Sequence, residues 1–175
     1  HVTYFFNGGR EQKGPLEEYF MVPSIKPEQF ASHPEMSAAQ VAQAVIQSLN
    51  MGYRFIIFNF ANADMVGHTG DYQATVQAVQ HVDQQMGLIW QEVRKQAGFL
   101  FVTADHGNSE QMLNPKTGAI YKKHTISPVP LIIANDNLYT SPKQVSRIFT
   151  DAKENGLLSD IAPTLLNLAN IPPAE

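Results

Sequence analysis

Apolar positions along the chain change period several times, and the changes mark the elements. Residues 2–6, "VTYFF", are β-branched and aromatic and precede the turn residues "NGGRE", a combination that predicts a strand. Residues 13–34 contain four prolines (Pro15, Pro23, Pro27, Pro34) and no sustained period, so an irregular surface connection is expected, with one short strand at 19–22. Beyond it Val41, Val45 and Leu49 recur on one helical face. Ser37 and Gln40 are spaced as a capping box, and Gly52 stands at the C-terminal cap.

The run "YRFIIFNFA" (53–61) is nearly all apolar, the pattern of a strand covered on both faces of a parallel sheet. A loop, "NADMVGHTG" (62–70), leads to Asp71, which can cap a long helix with Val79, Val82, Met86, Ile89 and Val93 as its stripe and Gly98 as its end. A strand at 99–104 follows, then a turn at 114–118 ("NPKTG") and a strand at 128–134 ("PVPLIIA"). A last helix, "LSDIAPTLLNLAN", has Ser159 or Asp160 as cap and Pro163 in its first turn. This alternation predicts an α/β fold, a mainly parallel sheet flanked by helices.

Polar residues directly after apolar strands lie where open α/β sheets bind ligands. Asp64 and His68 follow the first such strand, Asp105 and His106 follow the second, and His124 precedes the third. Each alone reads as a turn former or a solvated imidazole, but their gathering at one sheet edge points to a metal site. Imidazole with carboxylate suits zinc, manganese, cobalt or iron rather than an all-oxygen magnesium or calcium cage. His1, His33 and His81 read as surface residues, "NGGRE" with Arg10 and Glu11 as a turn, and Trp90 as core. Thr103 and Ser109 lack an activating context, and no glycine-rich phosphate loop is present.

Composition narrows the functional classes. The 175 residues are 43% hydrophobic and 16% charged, ordinary globular values, and carry a formal net charge of -4. Scattered Lys and Arg offer no basic face to nucleic acid. The chain has no cysteine for a disulfide or thiolate site. No apolar run approaches the roughly 18–20 residues that span a bilayer, and no signal-peptide pattern opens the chain, so a cytoplasmic location is expected, without membrane association. The chain starts at His1 inside a strand-like run, which suggests a piece of a longer protein.

The segments "HVTYFFNGGRE", "NFANADMVGHTGD", "TADHGNSEQM", "KKHTISPVPLI" and "LSDIAPTLLNLANIPP" resemble, in order and spacing, the carboxyl-terminal part of the cofactor-independent (2,3-bisphosphoglycerate-independent) phosphoglycerate mutases. These belong to the alkaline phosphatase superfamily. The resemblance implies that residues 1–175 are the carboxyl-terminal portion of a metal-binding phosphatase-like domain, an incomplete domain without its amino-terminal part or the inserted substrate domain. It implies two manganese ions, with zinc or cobalt as alternatives, and no organic cofactor. Asp64, His68 and His124 would hold the first ion, Asp105 and His106 half of the second. The rest of the second site, including the serine nucleophile, would lie upstream, so no catalytic nucleophile is expected here and substrate contacts are unassigned. The implied reaction interconverts 3- and 2-phosphoglycerate through a phosphoserine, in glycolysis and gluconeogenesis, in a monomeric full-length enzyme. Competing readings are another phosphomutase or phosphohydrolase of the superfamily, or a stand-alone metal-binding module.

Overall fold

A computed structural model describes residues 2–121, 123–138 and 156–172. His1 lies outside them. Among the described residues, five α-helices and two strands follow one another as α1 (Val2–Phe6), α2 (Ala38–Asn50), α3 (Asn62–Gly67), α4 (Tyr72–Lys95), β1 (Leu100–Val102), β2 (Ile132–Ala134) and α5 (Ile161–Leu168). Short 3-10 turns at Pro27–Gln29 and Leu158–Asp160 complete the set.

Long α4 is the spine. Asp71 caps it as expected, its Oδ1 accepting from the Ala74 amide at 2.9 Å, and Arg94 and Lys95 in the last turn complement the helix dipole. Its buried face is Ala74, Thr75, Ala78, Ile89 and Val93, whereas Val79 of the expected stripe is 47% exposed. Small side chains in the first half let α3 approach closely, forming a cluster of Val66, Ala74 and Ala78 with Phe30 and Met36. The second half packs Ile89 and Val93 against Ala42 and Val45 of α2 and Leu100 of β1. Trp90 leans on that second cluster, so its core reading holds.

Helix α2 starts after Ser37, yet the capping box does not form. The Ser37 hydroxyl instead donates to the Pro23 carbonyl at 2.7 Å, anchoring the proline-rich connection to the helix start. Gly52, at φ +90°, ends the helix in the left-handed conformation expected of it. The turn at 114–118 forms as read, with the Gly118 amide donating to the Asn114 carbonyl at 2.8 Å.

Further expectations fail. Residues 2–6 are a helix, since no strand neighbours them among the described residues and local bonds satisfy the backbone, Gly9 closing it on the Tyr4 carbonyl at 2.9 Å. No strand forms at 19–22. Residues 53–61 run without a ladder among the described residues; Ile56, Phe58 and Phe60 pack on the second core cluster while Phe55 is 65% exposed, so alternate side chains face inward. The "NADMVGHTG" stretch is largely helical rather than a loop.

The described sheet pairs β1 with β2 antiparallel, Phe101 opposite Ile133. A parallel pair needs a crossover, usually a helix, and none is seen among the described residues between these strands; the chain doubles back, with Asp105, His106 and His124 on the connection. The mainly parallel sheet is therefore not seen among the described residues.

Truncation of Ile89, fully buried where α2, α4 and β1 meet, is expected to cost about 2–5 kcal/mol, and Asp71→Ala about 1 kcal/mol. Urea unfolding of the intact protein measures both, and a larger loss for the cap than for Ile89→Ala would contradict this ranking.

Candidate metal centre

Helix α3 sets the centre's geometry. Buried Asn62 fixes its start, the side-chain amide donating to the Pro34 and Glu35 carbonyls at 2.8 Å each. Asp64 in the first turn and His68 at the C-cap are then four residues apart on one face. His68 Nε2 lies 3.3 Å from Asp64 Oδ1.

His124 arrives from the β1–β2 excursion. Its Nε2 is 3.4 Å from Asp64 Oδ1 and 3.2 Å from His68 Nε2, so the three ligand atoms converge, all within 4.8 Å of one another. The excursion is held by an antiparallel bridge between Gly107 and Thr125, the Thr125 amide donating to the Gly107 carbonyl at 2.8 Å. Glu110 reinforces it by accepting from the Thr125 hydroxyl and, at 2.8 Å, from the Asn108 amide. A Cβ on Gly107 would collide with the Thr125 hydroxyl and the Glu110 carboxylate.

Asp105 and His106 stand beside this cluster rather than in it. The His106 ring stacks on His124, centroids 3.5 Å apart and planes within 9°. Its Nε2 is 3.6 Å from Asp105 Oδ2, and the Asp105 side chain is 73% exposed. His106 Nδ1 is buried without a hydrogen-bond partner, an orphaned donor atom next to the converging ligands. Neutral imidazoles, a carboxylate and this orphan fit a borderline divalent cation. His33 is exposed and pairs with Glu35 at 3.3 Å, as a surface residue would. His81 is half-buried and lines a pocket with Glu35, Met36 and Gln85 that includes none of these ligands.

Two residues that sequence reasoning passed over matter here. Asn108, 7% exposed, donates from Nδ2 to Asp64 Oδ1 at 2.7 Å and lies 3.2 Å from His68 Nε2. Glu110 is the clamp described above. Their only signal was adjacency to "ADHG", where an asparagine after glycine reads as a turn former.

A family model described as the Metalloenzyme superfamily matches residues 1–173. The chain belongs to that superfamily. Within it, the chain is 46% identical over its full length to a 2,3-bisphosphoglycerate-independent phosphoglycerate mutase of Thermomicrobium roseum and 45% identical to that of Rhodopseudomonas palustris, covering 32% of each. It thus spans about a third of the length of these curated relatives. A crystal structure of Leishmania mexicana phosphoglycerate mutase at low cobalt concentration is similar in fold, with a TM-score of 0.70 and 39% identity over 79% of this chain and 28% of that one. These matches bear out the resemblance and the alkaline-phosphatase-like metalloenzyme domain it implied. Among the described residues no helix is long and apolar enough to cross a membrane.

Burial raises the Glu110 pKa, but hydrogen bonds from the Thr125 and Ser127 side chains and from the Glu110 and Asn108 amides outweigh it, leaving the group below its ordinary 4.5. Between the two values the unfolded chain binds more protons, so this stabilisation is present above the ordinary value and is lost as pH falls through the lowered one. Unfolding free energies against pH should accordingly show a shallower acid limb in Glu110→Gln than in the parent protein; parallel limbs would remove Glu110 from this role.

Proposed function

We propose that this chain is the carboxyl-terminal, metal-ligand-bearing portion of a phosphoglycerate mutase that interconverts 3- and 2-phosphoglycerate. The convergence of Asp64, His68 and His124, in a chain 46% identical over its whole length to such a mutase, carries the reading. Asp64, His68 and His124 hold one divalent ion, and Asp105 with His106 contribute to a second. Bound there, divalent ions supply Lewis acidity toward phosphoryl oxygens and a hydroxyl nucleophile.

The chain's own residues have distinct parts in this scheme. The Asp64 carboxylate provides the negative charge that favours a cation over water, and the two imidazole nitrogens provide neutral donors that leave net positive charge facing an anionic substrate. Positive charge of this origin accounts for a phosphate ester approaching a chain of net charge -4 without a basic patch. The serine that carries the phosphoryl group and the residues that grip the glycerate belong to parts of the protein outside these 175 residues. Residues 53–61 and β1 take places in a mainly parallel sheet completed by those parts. The whole protein is a cytoplasmic monomer loaded with manganese.

In the intact protein, chelation should abolish mutase turnover and manganese should restore it. His124→Ala should lose more manganese affinity than the roughly 10–100-fold typical of outer-shell substitutions. Affinity should also fall as the solution is acidified, because the ligands bind metal deprotonated. The isolated 175 residues should be inert toward phosphoglycerate. Phosphatase turnover without mutase turnover would favour a phosphohydrolase instead, and activity of the isolated chain would refute the placing of the nucleophile elsewhere.

A further inference from the structure

We propose that Asn108 is the positioning residue of the Asp64–His68–His124 centre, its side-chain amide aiming the Asp64 carboxylate and bracing the His68 ring. The inference rests on those three residues being metal ligands, as proposed above. An ionised carboxylate only accepts hydrogen bonds, so the Asn108 atom 2.7 Å from Asp64 Oδ1 must be the NH2 group. One amide hydrogen occupies a lone pair of Oδ1. The same amide nitrogen lies against the His68 ring, 3.2 Å from Nε2 and 3.5 Å from Nδ1.

Three further features hold Asn108 in this role. It is nearly fully buried, so water does not compete for its amide. Its backbone N–H is fixed by Glu110, 2.8 Å away, and the next residue, Ser109, donates its hydroxyl to the Ala63 carbonyl at 2.7 Å, tying this loop to α3 just before Asp64. A Cβ on Gly67 would collide with Asn108 Oδ1, so helix and amide meet where only glycine fits. The loop is therefore docked twice, by Ser109 on backbone and by Asn108 on the ligands. Only the second contact touches the ligand atoms.

That division supplies the test. Asn108→Leu keeps the side chain's approximate volume and removes both hydrogens; Ser109→Ala removes the neighbouring dock without touching a ligand. In the intact protein, manganese titrations well below each variant's melting temperature should show Asn108→Leu weakened about 10–100-fold and Ser109→Ala within about twofold of the parent. Metal-free samples provide a readout independent of loading: the His68 imidazole NMR signals should shift in Asn108→Leu and stay in place in Ser109→Ala. Should Asn108→Leu misfold, Asn108→Ala serves in both measurements. Parental affinity in a folded Asn108 variant, or equal losses in the Asn108 and Ser109 variants, would overturn the positioning role. Failure of the parent protein to bind manganese, or indifference of its affinity to His124→Ala, would instead overturn the ligand assignment on which the inference rests.

Discussion

A carboxylate oxygen and two imidazole nitrogens held 3.2–3.4 Å apart need a shared proton or a cation among them. Three lone pairs facing one point repel, and in the protein they are relieved only by shared protons or by a cation. Asn108 donates to Asp64 Oδ1 and lies against His68 Nε2, but its amide does not reach all three atoms. The rest of the local structure serves to keep the three atoms together against this repulsion. Helix α3 fixes two of them, the Gly107–Thr125 bridge brings the third, and Glu110 locks the bridge.

The apolar architecture answers the same requirement. The small residues Ala74 and Ala78 let α3 lie close on α4, with Val66 fully buried between them, so the helix bearing Asp64 and His68 is supported along its inner side. At the other end of α4, Leu100 of β1 packs on Ile89 and Val93, which anchors the start of the excursion that carries residues 105–124. One helix thus supports both arms of the centre.

Much of the candidate centre was legible in the sequence because its chemistry is written in residue types. Asp64, His68 and His124 stand out as metal-capable groups after or before apolar runs, and the Asp71 cap and Gly52 terminus are local signals that the structure honours. What the sequence did not reveal depends on partners distant along the chain. The apolar run 53–61 has strand composition, yet a strand exists only when a neighbour supplies its ladder bonds, and composition carries no information about that neighbour. Likewise the Ser37 hydroxyl had two acceptable partners, the helix end and the Pro23 carbonyl, and tertiary packing chose between them. The helix at 62–67 was hidden by Asn, Asp and Gly, residues of loop character, although the four-residue spacing of Asp64 and His68 is itself a helical interval.

That spacing has a consequence for how the centre assembles. Asp64 and His68 are set by backbone hydrogen bonds of a single helical segment, the His68 amide donating to the Asp64 carbonyl at 3.0 Å, so their relation is fixed once α3 folds. His124 depends on a loop closure of 56 residues, and each such closure carries a conformational entropy cost that local helix formation does not. The antiparallel β1–β2 pair returns the chain alongside itself, and the Gly107–Thr125 bridge repeats the device nearer the ligands. Stacking of His124 on His106 then removes ring freedom that the bridge leaves. The ordering work is concentrated on one ligand of the three, and the residues that do it, His106, Gly107, Glu110 and Thr125, all lie on the β1–β2 connection.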